Sequence, residues 1–234
     1  MLLLKKSKYY QVLLYILAFY LFAQIFQQLV LRMEPMASAS GLEASIIAGQ
    51  SPLNIARFFL ILLSMFLMVG GYLILTLHFY EKSPLLSILS FLFFLFFCLF
   101  EIGYRSVELF QVVIVWGREF TNSLQVERAL LLAKFRLFNE VVTAIYFPLL
   151  FSQLIASICL FVATLKDEFG KLVMIAMAFN TIRLVLRLSG FTPFDYLNIF
   201  SGGWYFPPVA LIFVLLIWWA FKMRREAIYI LSKK

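Results

Sequence analysis

Six long apolar stretches constrain the fold of this chain more than any other feature. Each contains about 20 mostly apolar residues, the length that an α-helix needs to cross a bilayer. Of the 234 residues, 64% are hydrophobic and 14% are charged, a composition far more apolar than that of a soluble domain. The sequence therefore predicts one all-α, polytopic transmembrane domain over residues 1–234. Its predicted helices lie near 9–31, 57–79, 85–116, 137–164, 171–190 and 205–222, with an outer loop over 32–56.

The distribution of lysine and arginine predicts the orientation of this bundle. Both ends of the chain are basic, from Lys5 to Lys8 and from Lys222 to Lys234. Short basic segments stay on the cytoplasmic side, and an even number of helices places both termini on one side. We therefore expect both termini in the cytoplasm. These tails also account for most of the net charge of +8, so anionic lipid is the expected partner and nucleic acid is not.

The predicted outer loop has two local signals. Ser40 and Glu43 have capping-box spacing ahead of apolar residues, which is typical of a short helix on the membrane surface. A plain solvated loop is the alternative. Ser51 followed by Pro52 reads as the N-cap and first position of the second spanning helix.

Charged residues inside the apolar stretches identify the candidate site. Charges at membrane depth are costly and are usually kept with a partner or for a function. Within each stretch they have helical spacing, so they share a helix face. The residues predicted to line one polar site are Glu101, Arg105, Glu108, Arg136, Glu140, Asn180, Arg183 and Arg187.

The predicted depths and charges of these residues favour an anionic ligand. At 1.5 Å per residue, all three sets reach the outer third of the membrane. Four arginines and three glutamates leave one positive charge in excess, and arginine binds carboxylate or phosphate with paired hydrogen bonds. An anionic lipid or solute is one way to balance that charge. Asp195 can balance it instead, which would make the cluster a closed ion-pair network without a ligand.

Other chemistry has little support in the sequence. His78 is the single histidine, and Cys98 and Cys159 stand alone without C-x-x-C spacing. A zinc site needs several such ligands, and a dithiol redox centre needs two neighbouring cysteines. No metal, cofactor or catalytic residue is therefore predicted.

The layout resembles a family of small bacterial six-helix membrane proteins of unknown function. The matching features are an Asn-x-x-Arg-Phe segment at Asn54 to Phe58 and a third helix with Phe100, Glu101 and Arg105 in its outer half. The resemblance implies six helices and a location in the bacterial inner membrane. It implies no activity.

These observations lead to a ranked expectation of function. The first is a non-enzymatic binding or interaction protein with an outward-facing polar pocket for an anionic lipid or solute. The second is a structural subunit of a membrane complex or a homo-oligomer. The third is a small transporter or membrane enzyme that uses Glu101, Glu108 or Glu140.

Overall fold

The computed structural model describes residues 2–33, 42–165, 167–192 and 205–232. Every regular element in these ranges is helical, as the apolar stretches predict. Six of the described helical segments are long and apolar enough to cross a membrane. The helices are α1 (Leu2–Met33), α2 (Leu42–Gly49), α3 (Pro52–Tyr80), α4 (Pro84–Ser106), α5 (Gly117–Asn122), α6 (Gln125–Thr164), α7 (Lys171–Leu188) and α8 (Phe206–Ser232).

The six long helices form a closed ring in chain order. Helix α3 packs on α1 and α4, α6 packs on α4 and α7, and α8 packs on α7 and closes the ring against α1. Each long helix thus has two principal neighbours and turns one face toward the centre. Many of the side chains on the opposite faces are exposed apolar residues, as expected for helices in contact with lipid. Tyr10 on α1 contacts Trp219 on α8, and Tyr20 contacts Phe213, so these helices are antiparallel and the start of α1 and the end of α8 lie at one end of the ring.

The second helix and the cap of the third confirm two local predictions. Residues Leu42–Gly49 form α2, so the predicted short helix is present, although Ser40 itself lies outside the described residues. The hydroxyl of Ser51 accepts a hydrogen bond from the backbone N–H of Asn54 at 3.2 Å, and Pro52 opens α3. The side chain of Asn54 also donates to the carbonyl of Ala48 at 3.0 Å. These bonds fix α2 against the start of α3.

The third and fourth spanning segments are longer than predicted. Helix α4 continues without a break through a π-helical stretch, Val107–Trp116, into α5, and α6 begins at Gln125 instead of near 137. The segment Pro84–Asn122 contains 39 residues, about 58 Å at 1.5 Å per residue, whereas the hydrocarbon core is about 30 Å thick. The added parts contain charged residues such as Glu119 and Glu127, which lie outside the predicted spans. They are compatible with a helix once it leaves the bilayer, because helix propensity does not require apolar side chains.

The two ends of the ring differ in structure. The α2 end carries α2 and the junction between α5 and α6. The terminal end carries Tyr10, His78, Asp167 and Trp219, which form one connected cluster. The Tyr10 hydroxyl lies 2.7 Å from His78 Nδ1, and His78 Nε2 lies 3.1 Å from Asp167 Oδ2. The cluster joins α1, α3, α8 and the connection between α6 and α7.

Asp167 holds the terminal cluster together electrostatically. Lys82 Nζ donates to Asp167 Oδ1 at 3.0 Å, and the backbone N–H of Phe169 donates to the same oxygen at 3.1 Å. Burial by itself raises the pKa of Asp167, but these two hydrogen bonds and the charge of His78 outweigh burial and lower the pKa below its ordinary value. The carboxylate is therefore ionised at neutral pH and stabilises its contacts with His78 and Lys82 at this end of the ring.

Candidate functional site

A cavity of about 600 Å³ lies inside the helix ring, toward the α2 end. All six long helices contribute to its wall, because each turns one face toward the ring axis. At the α2 end it reaches Arg32 on α1 and Arg187 on α7, and toward the terminal end it reaches Tyr72 and Leu216. Five of the eight predicted site residues line it: Glu101, Arg105, Asn180, Arg183 and Arg187.

Arg183 is a deeply buried charge that is fixed in place by amides. Only 3% of its surface is exposed. Its Nη2 donates to Asn180 Oδ1 at 2.8 Å and to Gln153 Oε1 at 3.3 Å, and its Nε donates to Asn180 Oδ1 at 3.1 Å. Asn180 in turn donates to the hydroxyl of Ser157 at 2.8 Å. Amide oxygens orient the guanidinium without neutralising it, so the positive charge of Arg183 remains.

Nη1 of Arg183 is left without a hydrogen-bond partner among the described residues. A buried donor without a partner is unfavourable, and the cost is greater for a charged group. The same holds for Gln24 Oε1 on α1, which also belongs to a residue of the cavity wall. Water or a bound polar group in the cavity can supply the partner that each of these two atoms lacks.

Arg187 adds a second positive charge one turn further along α7. Its guanidinium carbon lies 4.9 Å from the ring centre of Tyr205, and that of Arg183 lies 5.5 Å from the same ring. Within the described parts of the chain, no carboxylate lies within ion-pair distance of either arginine. Asp195, the acidic partner considered for a closed network, lies outside the described residues.

Arg105, in contrast, is fully paired. Its Nε lies 3.1 Å from Glu101 Oε1, and its Nη1 lies 2.7 Å from Glu108 Oε2. The hydroxyl of Tyr104 donates to Glu101 Oε1 at 2.8 Å. One arginine between two glutamates leaves a net charge of minus one on this triad, whereas the α7 pair carries plus two. The predicted cluster thus includes a closed triad, on α4 and the π-helical stretch that continues it, and an arginine pair on α7 without a carboxylate partner among the described residues.

Glu108 lies on the far side of this triad and faces a second space. It lines a cavity of about 340 Å³ between α2, the π-helical stretch and α6, together with Gln50 and Asn139. Gln50 Nε2 donates to the carbonyl of Val113 within the π-helical stretch. Glu108 therefore reaches the main site only through Arg105.

Arg136 and Glu140 are not brought to the cavity. Both side chains are exposed on α6, and neither belongs to the wall of the main cavity. The buried face in this part of α6 carries Leu131 and Phe135, which pack against Phe120 and Ile46. Arg136 follows Phe135 directly and so lies about 100° around the helix, and Glu140 shares its face. The expected convergence of these two residues with Arg183 is therefore not observed.

Sequence reasoning missed the glutamines of the first helix. Gln24, Gln27 and Gln28 line the cavity from α1 and are uncharged. Their i, i+3 and i+4 spacing within an apolar stretch is the signal that identifies them, since three amides on one face of a spanning helix rarely face lipid. They place polar groups on the cavity wall near the α2 end.

Comparison with known proteins adds no relative to this picture. No family model, no curated protein and no solved structure matches the chain.

Proposed function

We propose that this chain is a non-enzymatic, multi-pass membrane protein that binds an anionic lipid or solute at Arg183 and Arg187. The observation that carries the proposal is that both arginines line one cavity while no carboxylate among the described residues lies within ion-pair distance of either; Glu101, in the same wall, is paired with Arg105. In a low-dielectric surrounding, an unpaired charge is far more costly than in water. A ligand carrying a carboxylate or phosphate removes that cost when it binds, and this gain favours binding.

The proposed location is the bacterial inner membrane, with the cavity on the non-cytoplasmic side. The six candidate spans support a multi-pass protein, and the basic termini support a cytoplasmic terminal end. A cysteine at Gln125, exposed at the α2 end, should react with an impermeant thiol reagent in intact cells, whereas a cysteine at Ser232 should react only after lysis. Cys98 and Cys159 are replaced by serine in both variants. The opposite pattern of labelling would reverse the orientation of the cavity.

Removal of the arginine pair tests ligand binding. In native mass spectrometry of protein purified in mild detergent, we expect an anionic adduct on the wild type and none on Arg183→Gln/Arg187→Gln. Each charge-assisted hydrogen bond contributes about 1.5 kcal/mol or more, so losing both should weaken binding at least about a hundredfold. Lys222→Gln/Arg225→Gln is the matched control, because it removes two exposed basic side chains from α8 and leaves the cavity intact.

Two results would contradict the proposal. An adduct that persists in the double variant would place the ligand elsewhere. A wild type without adduct that acquires none when titrated with phosphate or acetate, and that is purified with protein partners, would favour the structural-subunit alternative. In that case the large exposed apolar surface of the ring would serve as the contact.

A further inference from the structure

The wall of the main cavity changes in character along the ring axis. Toward the α2 end it carries charged and amide side chains, including Arg187, Arg32 and Gln28. Toward the terminal end it is formed by aromatic and aliphatic side chains, including Phe94 and Leu216. A site for a small inorganic anion needs no such apolar extension, because polar groups alone satisfy that anion.

Stacked aromatic pairs make the apolar part of the cavity rigid. The rings of Tyr72 and Phe94 stack with centres 3.9 Å apart and planes 4° apart. The rings of Tyr20 and Phe213 stack with centres 4.3 Å apart. All four residues line the cavity and are buried. This part of the wall is therefore preformed, as is usual for sites that bind small molecules.

Arg183 lies at the boundary between the two parts. Met177, six residues earlier on α7, also lines the cavity and belongs to the apolar part of the wall. Six residues correspond to about 9 Å along the helix, the length of roughly seven methylene groups. A headgroup at Arg183 thus leaves room for a short apolar chain that points toward the terminal end. The whole cavity, about 600 Å³, is within the usual range of about 300–1,000 Å³ for small-molecule sites.

We propose that the ligand is an amphipathic anion, with a carboxylate or phosphate headgroup at Arg183 and Arg187 and an apolar chain against Tyr72 and Phe94. The inference rests on the proposed function and deepens it by naming the ligand class. Two sources supply such a molecule: a free short-chain amphiphile, or one chain of an anionic lipid. A lipid in the nearer leaflet already has this orientation, with its headgroup at the surface and its chain toward the bilayer centre.

A series of linear carboxylates from acetate to dodecanoate tests this inference by calorimetry with the full chain in neutral detergent. Burial of each methylene should raise the affinity about fourfold. We expect this rise to continue to about eight carbons, where the apolar part is full. A plateau there indicates a free short-chain ligand, whereas a rise that continues to dodecanoate indicates a lipid chain that leaves the cavity between helices. Arg183→Gln should abolish binding of every member of the series.

A matched pair of variants on α8 tests where the apolar chain of the ligand lies. Val209 is 3% exposed and lines the cavity, whereas Val214 on the same helix is 48% exposed. Val209→Trp fills the apolar part and should move the plateau to shorter carboxylates, and Val214→Trp should leave it unchanged. Val209→Phe makes the same test with a smaller volume if the tryptophan variant does not fold.

The possible outcomes separate this inference from the proposed function. Binding that depends on Arg183 but not on chain length would overturn the amphipathic ligand and keep the anion site. A chain-length dependence that survives in Arg183→Gln would overturn both, because the carboxylates would then bind elsewhere. Equal plateaus in Val209→Trp and Val214→Trp would show that the apolar chain of the ligand does not lie in the ring cavity.

Discussion

Trp219→Ala will lower the free energy of unfolding by about 3 kcal/mol, whereas Trp218→Ala will change it by less than about 1 kcal/mol. Trp219 is fully buried at the terminal end, with its ring centre 4.9 Å from that of His78 and 5.9 Å from that of Phe79. Its indole N–H donates to the carbonyl of Phe169 at 3.1 Å. Truncation leaves a void and an unpaired carbonyl where α1, α3 and α8 meet. Trp218 is 61% exposed and faces outward.

The size of this effect is set by packing. Lipid chains are as apolar as the protein interior, so burial from lipid provides little driving force and the loss comes from the cavity and the hydrogen bond. For that reason the expected value lies at the lower end of the range of about 3–5 kcal/mol known for buried tryptophan. Unfolding in sodium dodecyl sulfate, followed by circular dichroism, compares the two variants. Equal midpoints would show that the terminal cluster does not hold the ring closed.

Arg105→Met will destabilise the fold by about 3–5 kcal/mol, because it leaves Glu101 and Glu108 as partly buried carboxylates without their counter-charge. The three side chains are between 13% and 24% exposed, so water screens them only in part. Neutralising the entire triad should behave differently. Glu101→Gln/Arg105→Met/Glu108→Gln removes the stranded charges, and we expect it to recover most of the lost stability.

Arg136→Met is the control for this prediction. Arg136 has the same charge but is exposed on α6, so its removal should change stability by less than about 0.5 kcal/mol. Thermal unfolding in detergent measures all three variants. If Arg136→Met were as damaging as Arg105→Met, Arg136 would belong to the polar network, as its spacing to Glu140 first indicated. If the triple variant were no better than Arg105→Met, the triad would act through hydrogen bonds and not through charge.

The success of the helix prediction has a simple physical origin. Backbone groups in hydrocarbon must be satisfied within the segment, so a long apolar run is restricted to one structure. All six predicted spans are helical over their described residues for that reason. The extensions Gly117–Asn122 and Gln125 to residue 136 were missed, because outside the bilayer apolarity no longer marks a helix. The π-helical stretch has no sequence signal of this kind.

The candidate site was predictable within each helix but not between helices. Helical spacing correctly joined Glu101, Arg105 and Glu108, and it joined Asn180 to Arg183.

Spacing along one helix does not specify the rotation of that helix about its axis relative to the others. The estimated membrane depth of Arg136 is close to that of the other site residues. The packing of Phe135 against Phe120, however, leaves the side chain of Arg136 exposed on the outside of the ring. Gln153 and Tyr205 contact Arg183 only because α6 and α8 both flank α7.

By itself, the sequence of this protein determined that the chain forms six apolar helices with polar residues on particular faces, because the bilayer length and the 3.6-residue period act locally. The tertiary structure alone decided that the helices close into a ring in chain order, that Glu101 of the shared cavity is paired with Arg105, and that no carboxylate of the described residues lies within ion-pair distance of Arg183 or Arg187. These features depend on which helix faces meet, and that choice is made by side-chain packing between segments far apart in the chain.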